Sequence, residues 1–204
     1  QALGSYNTGA GHRVGAAAIA QRLIVEIEAG HVVRRHDDLL LVLVPRHPER
    51  FSAVRDLVRK RGFTVVSRTE GRPAGDAAVF LCDTMGEVPL FYAASDIAFV
   101  AGSLVPIGGH NLLEPAALGI PVVTGPHNFN AQDIADLFVQ MGACRRVNDP
   151  GELAETVSEL LSSPEAAARL GQAGQQVLED NRGALERLLV LLEPLLGNDV
   201  AGRA

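Results

Sequence analysis

Residues that can hold an anion occur in four short polar clusters of the sequence. In the first, Arg46 directly follows the strongest apolar run, where its guanidinium could make a forked, charge-assisted contact with a phosphate or carboxylate. The alternative is that Pro48 opens a helix, that Glu49 is favoured by the helix dipole, and that the basic residues are only solvated. The residues of this turn leave both interpretations open.

The second cluster consists of Asp83, Thr84, Met85, Gly86 and Glu87. Capping of the next helix by Asp83 or Thr84 is the simpler role for this turn. A capped helix start also presents free backbone N–H groups, which a nucleotide phosphate or base could use. Glu87 could reach ribose hydroxyls or the base, although a carboxylate in a first helical turn is favourable without any ligand.

The third cluster is the richest in groups that can contact a ligand. It contains Gly102, Ser103, Gly108, Gly109, His110, Asn111 and Glu114. Adjacent glycines allow a ligand close to the backbone, and a helix start behind them would make an anion cradle. Ser103, His110 and Asn111 add donors, while Glu114 could face a sugar or ribose hydroxyl. A tight turn capped by Asn111 is the alternative, and it gives His110 and Glu114 no role.

The fourth cluster is a Gly125-Pro126 turn followed by His127 and Asn128, which could line the same cleft. For His127 alone, a solvated turn histidine is the simpler assignment. None of the four clusters has the pattern of a Ser-His-Asp triad, a Walker loop or a zinc set, so we expect neither metal nor cofactor. The chemistry that they indicate is recognition of a phosphorylated, hydroxyl-rich molecule.

Short apolar runs alternate with longer helical patterns along the chain. The runs predict strands over 39–44, 64–66, 78–81, 97–100 and 121–124, and the helical patterns cover 48–61, 85–94, 111–118, 131–141, 150–161 and 164–195, with a break near 181–183. Continuous apolar runs are typical of strands buried on both faces of a parallel sheet. The sequence therefore predicts an α/β fold, a Rossmann-like parallel sheet with flanking helices, and the clusters lie where such sheets bind ligands.

Composition narrows the classes of partner. The 204 residues carry a net charge of −6, which disfavours binding to nucleic acid or anionic lipid through the global field. Cys82 and Cys144 lack the spacing of metal ligands, so we expect two buried thiols in a reducing cytoplasm. The longest apolar run is well short of the roughly 20 residues that span a bilayer.

The first 35 residues are predicted to be an irregular segment outside the domain. Gly9-Ala10-Gly11, with Gly15 behind it, superficially suggests a phosphate-binding turn, but no apolar strand precedes these glycines. We expect the nucleotide-sugar-binding domain to cover 36–196 and a flexible tail to cover 197–204.

The clusters together resemble the Kdo transferase family, whose members transfer 3-deoxy-D-manno-octulosonic acid (Kdo). The shared segments are 43–51, 83–87, 102–104, 108–111 and Glu114, in the order and spacing of that family. The resemblance covers about 38–196, the C-terminal domain of a GT-B fold. Cys82 and Ala101 depart from the family, which usually has glycine there, and 1–35 lacks the family's opening strand and Ser-Thr-His loop.

The resemblance implies that Arg46, the 84–87 turn, Ser103 and the 108–114 loop and helix bind CMP-Kdo. It implies an acceptor, a lipid A precursor, and a catalytic carboxylate on an N-terminal domain absent from this sequence, so the chain alone would be inactive. Transfer would invert the anomeric centre and would take place at the cytoplasmic face of the bacterial inner membrane. The resemblance implies that only the whole protein associates with that membrane and that this piece is soluble. Two alternatives stay open: a GT-B enzyme that uses a UDP-sugar, and a non-catalytic nucleotide-binding module.

Overall fold

The computed structural model describes residues 13–18 and 39–182, and its centre is a parallel sheet. The strands are β1 (Arg13–Ala18), β2 (Leu39–Leu43), β3 (Val65–Ser67), β4 (Val79–Leu81), β5 (Ala98–Val100), β6 (Val122–Thr124) and β7 (Arg145–Arg146). Their order is β3-β4-β2-β1-β5-β6-β7, and every neighbouring pair is parallel. The predicted α/β class and parallel sheet are confirmed.

Helices follow the strands as the sequence predicts. They are α1 (Phe51–Lys60), α2 (Val88–Ala93), α3 (Leu113–Ala117), α4 (Gln132–Gln140), α5 (Pro150–Ser162) and α6 (Pro164–Asp180), with 3₁₀ turns at Pro48–Arg50 and Arg68–Glu70. Asp149 caps α5 by accepting from the N–H groups of Gly151 and Glu152, and Ser163 caps α6. Among the helices of residues 39–182, none is long and apolar enough to span a bilayer.

The strands β2, β4 and β5 are apolar throughout because helices cover both faces of the sheet. Along β2, Leu39, Leu41 and Leu43 pack with α1 and α5 on one face. Leu40 and Val42 point to the other face and pack in the cluster that includes α2. A third cluster joins β5 and β6 to α3, α4 and α6. Burial on both sides thus explains why these strands lack the alternation of apolar and polar residues that is typical of a half-exposed sheet.

Two strands were not predicted from the sequence. β1 lies at the centre of the sheet and pairs with both β2 and β5, so the prediction of an irregular segment over 1–35 is wrong for Arg13–Ala18. Its Arg-Val-Gly-Ala-Ala-Ala sequence carries little β propensity, and pairing on two sides overrides that weakness. β7 is a two-residue edge strand of arginines, and it also has no apolar signal. The Gly9-Ala10-Gly11 turn, the end of the predicted last helix and the tail lie outside the described residues.

The strand order reverses at the middle of the sheet. From β1 the chain builds β2, β3 and β4 on one side and then crosses to begin β5 on the other side. The order of an open parallel sheet reverses at such a point, and ligands bind at the carboxyl ends of the strands there. The turns after β2, β4, β5 and β6 all emerge at this edge.

Candidate functional site

Arg46 and His110 meet at the carboxyl edge of the sheet. Arg46 follows β2 and His110 follows β5, and Arg46 Nη1 lies 3.2 Å from His110 Nδ1. A guanidinium can only donate, so Nδ1 accepts and the imidazole proton lies on Nε2. Burial, helped by the charges of Arg46 and His47, lowers the pKa of His110 to about 4. His110 is therefore neutral at pH 7 beside a permanently charged arginine.

The glycines of the third cluster close the loop around the imidazole. The Gly109 N–H donates to the Gly102 carbonyl over 2.8 Å. A Cβ atom on Gly102 would lie 3.3 Å from His110 Nε2, and one on Gly109 would lie 2.5 Å from Asn128 Oδ1. Gly109 also has a φ of +70°, which disfavours any residue with a side chain. The structure thus gives these glycines a packing reason as well as a place in the cluster.

Ser103 serves the fold through its hydroxyl, which is 0% exposed. The hydroxyl donates to the Val100 carbonyl over 2.7 Å and accepts from the Gly125 N–H over 2.7 Å. These bonds join the loop after β5 to the loop after β6. The hydroxyl is therefore already paired within the protein, and the binding of a ligand by Ser103 stays a prediction.

Residues of the fourth cluster pack against the third cluster and hydrogen-bond to it. Asn128 is 2% exposed, accepts from Thr124 Oγ1 over 3.0 Å and donates to the Gly125 carbonyl over 2.7 Å. The His127 N–H donates to the Ser103 carbonyl over 2.8 Å. The Asn128 side chain therefore makes its hydrogen bonds within the loop. It does not line the cleft, contrary to the prediction from the sequence.

Asn111 and Glu114 stand at the start of α3, and both are exposed. Asn111 Oδ1 accepts from the Leu113 N–H over 3.0 Å, while Asn111 Nδ2 donates to Glu114 Oε1 over 3.1 Å. Asn111 therefore satisfies an N–H group of the first turn and also orients Glu114. Within residues 39–182 the hydrogen bond of the Glu114 carboxylate is made by Oε1, and Oε2 has no partner there.

The turn after β4 forms a second group beside Arg46, because β4 pairs with β2. Thr84 Oγ1 donates to Glu87, and Arg68 Nη2 donates to Glu87 Oε1 over 3.1 Å. These bonds, the one from Thr84 first, lower the pKa of Glu87. Met85 projects from this turn with 59% of its surface exposed, and Gly86 beside it is also exposed.

The predicted capping of α2 is not what the structure shows. The residue at the cap position is Glu87, whose side chain does not accept from the first N–H groups of this helix. Asp83 instead accepts from Thr69, over 2.9 Å from its backbone N–H and 2.6 Å from its hydroxyl. Hydrogen bonds of the Asp83, Thr84 and Glu87 side chains hold the turn in place. The Glu87 side chain does not cap the amides at the helix start.

Comparison with known proteins agrees with this arrangement. Residues 63–177 match the family model for glycosyl transferases group 1. The crystal structure of the C-terminal CMP-Kdo binding domain of WaaA from Acinetobacter baumannii is 33% identical to this chain with a TM-score of 0.78, over 82% of this chain and 89% of that one. The chain belongs to the Kdo transferase family.

Relatives in the Kdo transferase family are longer than this chain. The 3-deoxy-D-manno-octulosonic acid transferase of Haemophilus influenzae is 48% identical over 83% of the chain, which spans 40% of that relative. The transferase of Bordetella pertussis is 37% identical over 78% of the chain, which spans 37% of it. The family fits the observed α/β domain with its parallel sheet, the C-terminal domain of a GT-B glycosyltransferase.

The two departures from the Kdo transferase pattern lie in buried positions. Cys82 and Ala101 are both 0% exposed and directly follow β4 and β5. Each is small, and the Cys82 thiol lies 3.5 Å from Thr84 Oγ1, within the turn that holds Glu87. The departures therefore fit the same loops.

Tyr92 and Arg68 are members of the site region that the sequence did not reveal. Tyr92 lies on α2 within an apolar stretch that predicts only a core residue, yet the charges of Glu114 and Arg46 both act on its ionisation. Burial, the largest influence, and Glu114 raise the pKa of Tyr92, and Arg46 opposes them. Arg68 comes from the 3₁₀ turn after β3, where the sequence shows no motif. Tyr92 is identified by the packing of its helix against the helix of Glu114, and Arg68 by its contact with Glu87.

Proposed function

We propose that this chain binds CMP-Kdo as the donor domain of a Kdo transferase that acts in lipopolysaccharide biosynthesis. The observation that carries the proposal is the contact between Arg46 and neutral His110 inside a glycine-closed loop at the switch point of the sheet. A fixed positive charge and nearby donors suit a phosphate. The 33% identical domain described as CMP-Kdo binding supports the choice of donor.

Each part of the site takes a part of the donor in this proposal. Arg46 pairs with the phosphate, and the Gly108–His110 loop approaches it closely. Glu114, held by Asn111, accepts from the ribose hydroxyls through the oxygen that has no partner among the described residues. The turn formed by Thr84, Met85, Gly86 and Glu87 lies beside the base, with Glu87 fixed by Arg68.

The transfer step requires groups beyond these residues. A hydroxyl of the lipid A precursor attacks the anomeric carbon of Kdo, the bond to the CMP phosphate breaks, and the anomeric centre inverts. Arg46 stabilises the negative charge that grows on the departing CMP. A carboxylate of an N-terminal domain accepts the proton of the hydroxyl. We infer that this chain alone binds the donor without transferring it, and that the whole enzyme works at the cytoplasmic face of the inner membrane.

Calorimetric titration of the chain with CMP and with UDP tests the proposal. We expect saturable binding of CMP and at least about tenfold weaker binding of UDP, a difference of about 1.4 kcal/mol. Equal affinity for the two nucleotides would contradict the assignment of the donor. Absence of binding for both would contradict a nucleotide site at this edge of the sheet.

Replacement of Arg46 by lysine tests the phosphate contact. A lysine keeps the charge but loses the planar fork, so CMP affinity should fall at least about tenfold. Arg59→Lys is the matched control, because Arg59 is exposed and lies in the last turn of α1, at the end of the helix opposite to the turn that carries Arg46. Equal losses in the two variants, or no loss in Arg46→Lys, would remove Arg46 from the site.

A further inference from the structure

The hydroxyl of Tyr92 is a buried polar group without a partner. Tyr92 is 0% exposed and packs in the cluster that contains Val44 and Cys82, the residues at the ends of β2 and β4. Its hydroxyl oxygen has no hydrogen-bond partner among the residues that the structure describes. Burial of an unpaired hydroxyl is unfavourable, and phenylalanine would fill the same space without that cost. A tyrosine here needs a reason other than packing of its ring.

The charged groups around this hydroxyl belong to the proposed nucleotide site. The ionisation of Tyr92 responds to the carboxylate of Glu114 and to the guanidinium of Arg46. Arg46 Nη1 already donates to His110, and Glu114 Oε1 already accepts from Asn111. Helix α2, which carries Tyr92, packs against α3, which carries Glu114. The phenol and the carboxylate therefore lie on two helices that pack together, and one carboxylate oxygen has no partner among the described residues.

We propose that Tyr92 is a positioning residue for the nucleotide: when a cytidine monophosphate binds, the Tyr92 hydroxyl donates to Glu114 and holds its carboxylate toward the ribose hydroxyls. The inference rests on the proposed function, because it assigns Glu114 to the ribose. A phenol that donates to a carboxylate makes a short, charge-assisted hydrogen bond. The bond between Tyr92 and Glu114 forms when the ligand binds. It then satisfies a hydroxyl that is unpaired in the unliganded protein.

Replacement of Tyr92 by phenylalanine separates this role from a role in folding. The variant should unfold at the same or a higher denaturant concentration than the unsubstituted chain, because no hydrogen bond of the unliganded protein is lost. Its affinity for CMP, measured by calorimetry, should fall about five- to tenfold. The loss should be much smaller for 2′,3′-dideoxy-CMP, which offers no ribose hydroxyls to Glu114.

Ser95→Ala is the matched control, since it also removes one buried hydroxyl near the end of α2. The Ser95 hydroxyl donates to the Phe91 carbonyl over 2.6 Å and is therefore already paired. This variant should unfold at a lower denaturant concentration and bind CMP with unchanged affinity. The two variants thus have opposite signatures in stability and binding.

A third variant, Glu114→Ala, tests whether Tyr92 acts through Glu114. In this background Tyr92→Phe should cause no further loss of CMP affinity, because the acceptor is gone. Additive losses, or a Tyr92→Phe variant with the full affinity for CMP, would overturn the inference. A variant that only loses stability, as Ser95→Ala does, would overturn it as well. Failure of the unsubstituted chain to bind CMP would instead overturn the proposed function, and this inference with it.

Discussion

At the residue scale, the charge state of His110 is set by what surrounds it. Burial and the neighbouring Arg46 keep the imidazole neutral, with a pKa of about 4 instead of the ordinary 6.5. A neutral imidazole whose Nδ1 accepts from arginine presents N–H at Nε2, and Nε2 is buried without a partner among the described residues. The Arg46–His110 pair therefore combines a fixed positive charge with a neutral donor at neutral pH.

This state of His110 predicts how stability depends on pH. Between pH 4 and 6.5 the unfolded chain protonates this histidine and the folded chain does not, so the free energy of unfolding rises with pH across that window. The contribution of His110 is on the order of 2–3 kcal/mol, lost as the pH falls from 6.5 to 4. Urea unfolding of His110→Gln should show a correspondingly flatter pH dependence than the unsubstituted chain. Parallel curves for the two proteins would mean that the imidazole is not protected from protonation.

Glu114→Ala is the corresponding residue-scale prediction for binding. Glu114 is exposed and makes its described hydrogen bond with Asn111 alone, so its removal should change the free energy of unfolding by less than about 0.5 kcal/mol. Calorimetry should show CMP binding weakened about tenfold through loss of the ribose contact. Unchanged affinity for CMP would exclude the ribose role.

At the element scale, the loops after β5 and β6 behave as one unit. The Ser103 hydroxyl bonds to the Gly125 N–H, the Asn128 side chain bonds within its own turn, and Gly109 packs against Asn128. The glycines that could contact a ligand are thus supported from behind by buried hydrogen bonds. A substitution that strains these supporting residues should weaken the binding of a ligand, although the supporting residues do not face the ligand.

Gly109→Ala tests that coupling. The added Cβ would meet Asn128 Oδ1 at 2.5 Å, and the residue has a φ of +70°. Gly142→Ala is the matched control, with a φ of +64° and no atom within 4 Å of the added Cβ. Both variants should lose about 1 kcal/mol from the left-handed backbone, and Gly109→Ala should lose more and also weaken CMP binding. Equal stability loss and full CMP affinity in both variants would show that the loops are not coupled.

At the scale of the whole molecule, the proposed function assigns this domain one side of a reaction, the binding of the donor. The chain spans 40% of its Haemophilus influenzae relative, and residues 39–182 place the candidate donor groups at the carboxyl edge of the sheet. In the proposed division of labour, the groups that handle the acceptor lie in the remaining part of such a protein. Binding of the donor and transfer of Kdo should therefore be separable.

A fusion experiment tests this separation. The chain alone should bind CMP but release none from CMP-Kdo in the presence of a lipid A precursor. Fusion to the N-terminal part of the Haemophilus influenzae relative should restore CMP release, measured by a coupled nucleotide assay. The same fusion carrying Arg46→Lys is the control for the donor site. CMP release that depends on the acceptor in the isolated chain would contradict the proposed division.

The sequence by itself determined the class of fold and the family, and it predicted where the candidate site lies. Continuous apolar runs followed by polar turns predict a parallel sheet with ligand groups at one edge, because neighbouring residues in the chain determine which strands are buried and where turns form. Tertiary structure decided which groups are free for a ligand. β1 is a strand because it has partners on both sides, Ser103 turns inward because Gly125 lies opposite, and Tyr92 joins the site because α2 packs on α3. Such pairings depend on residues distant in the chain, which no local pattern records.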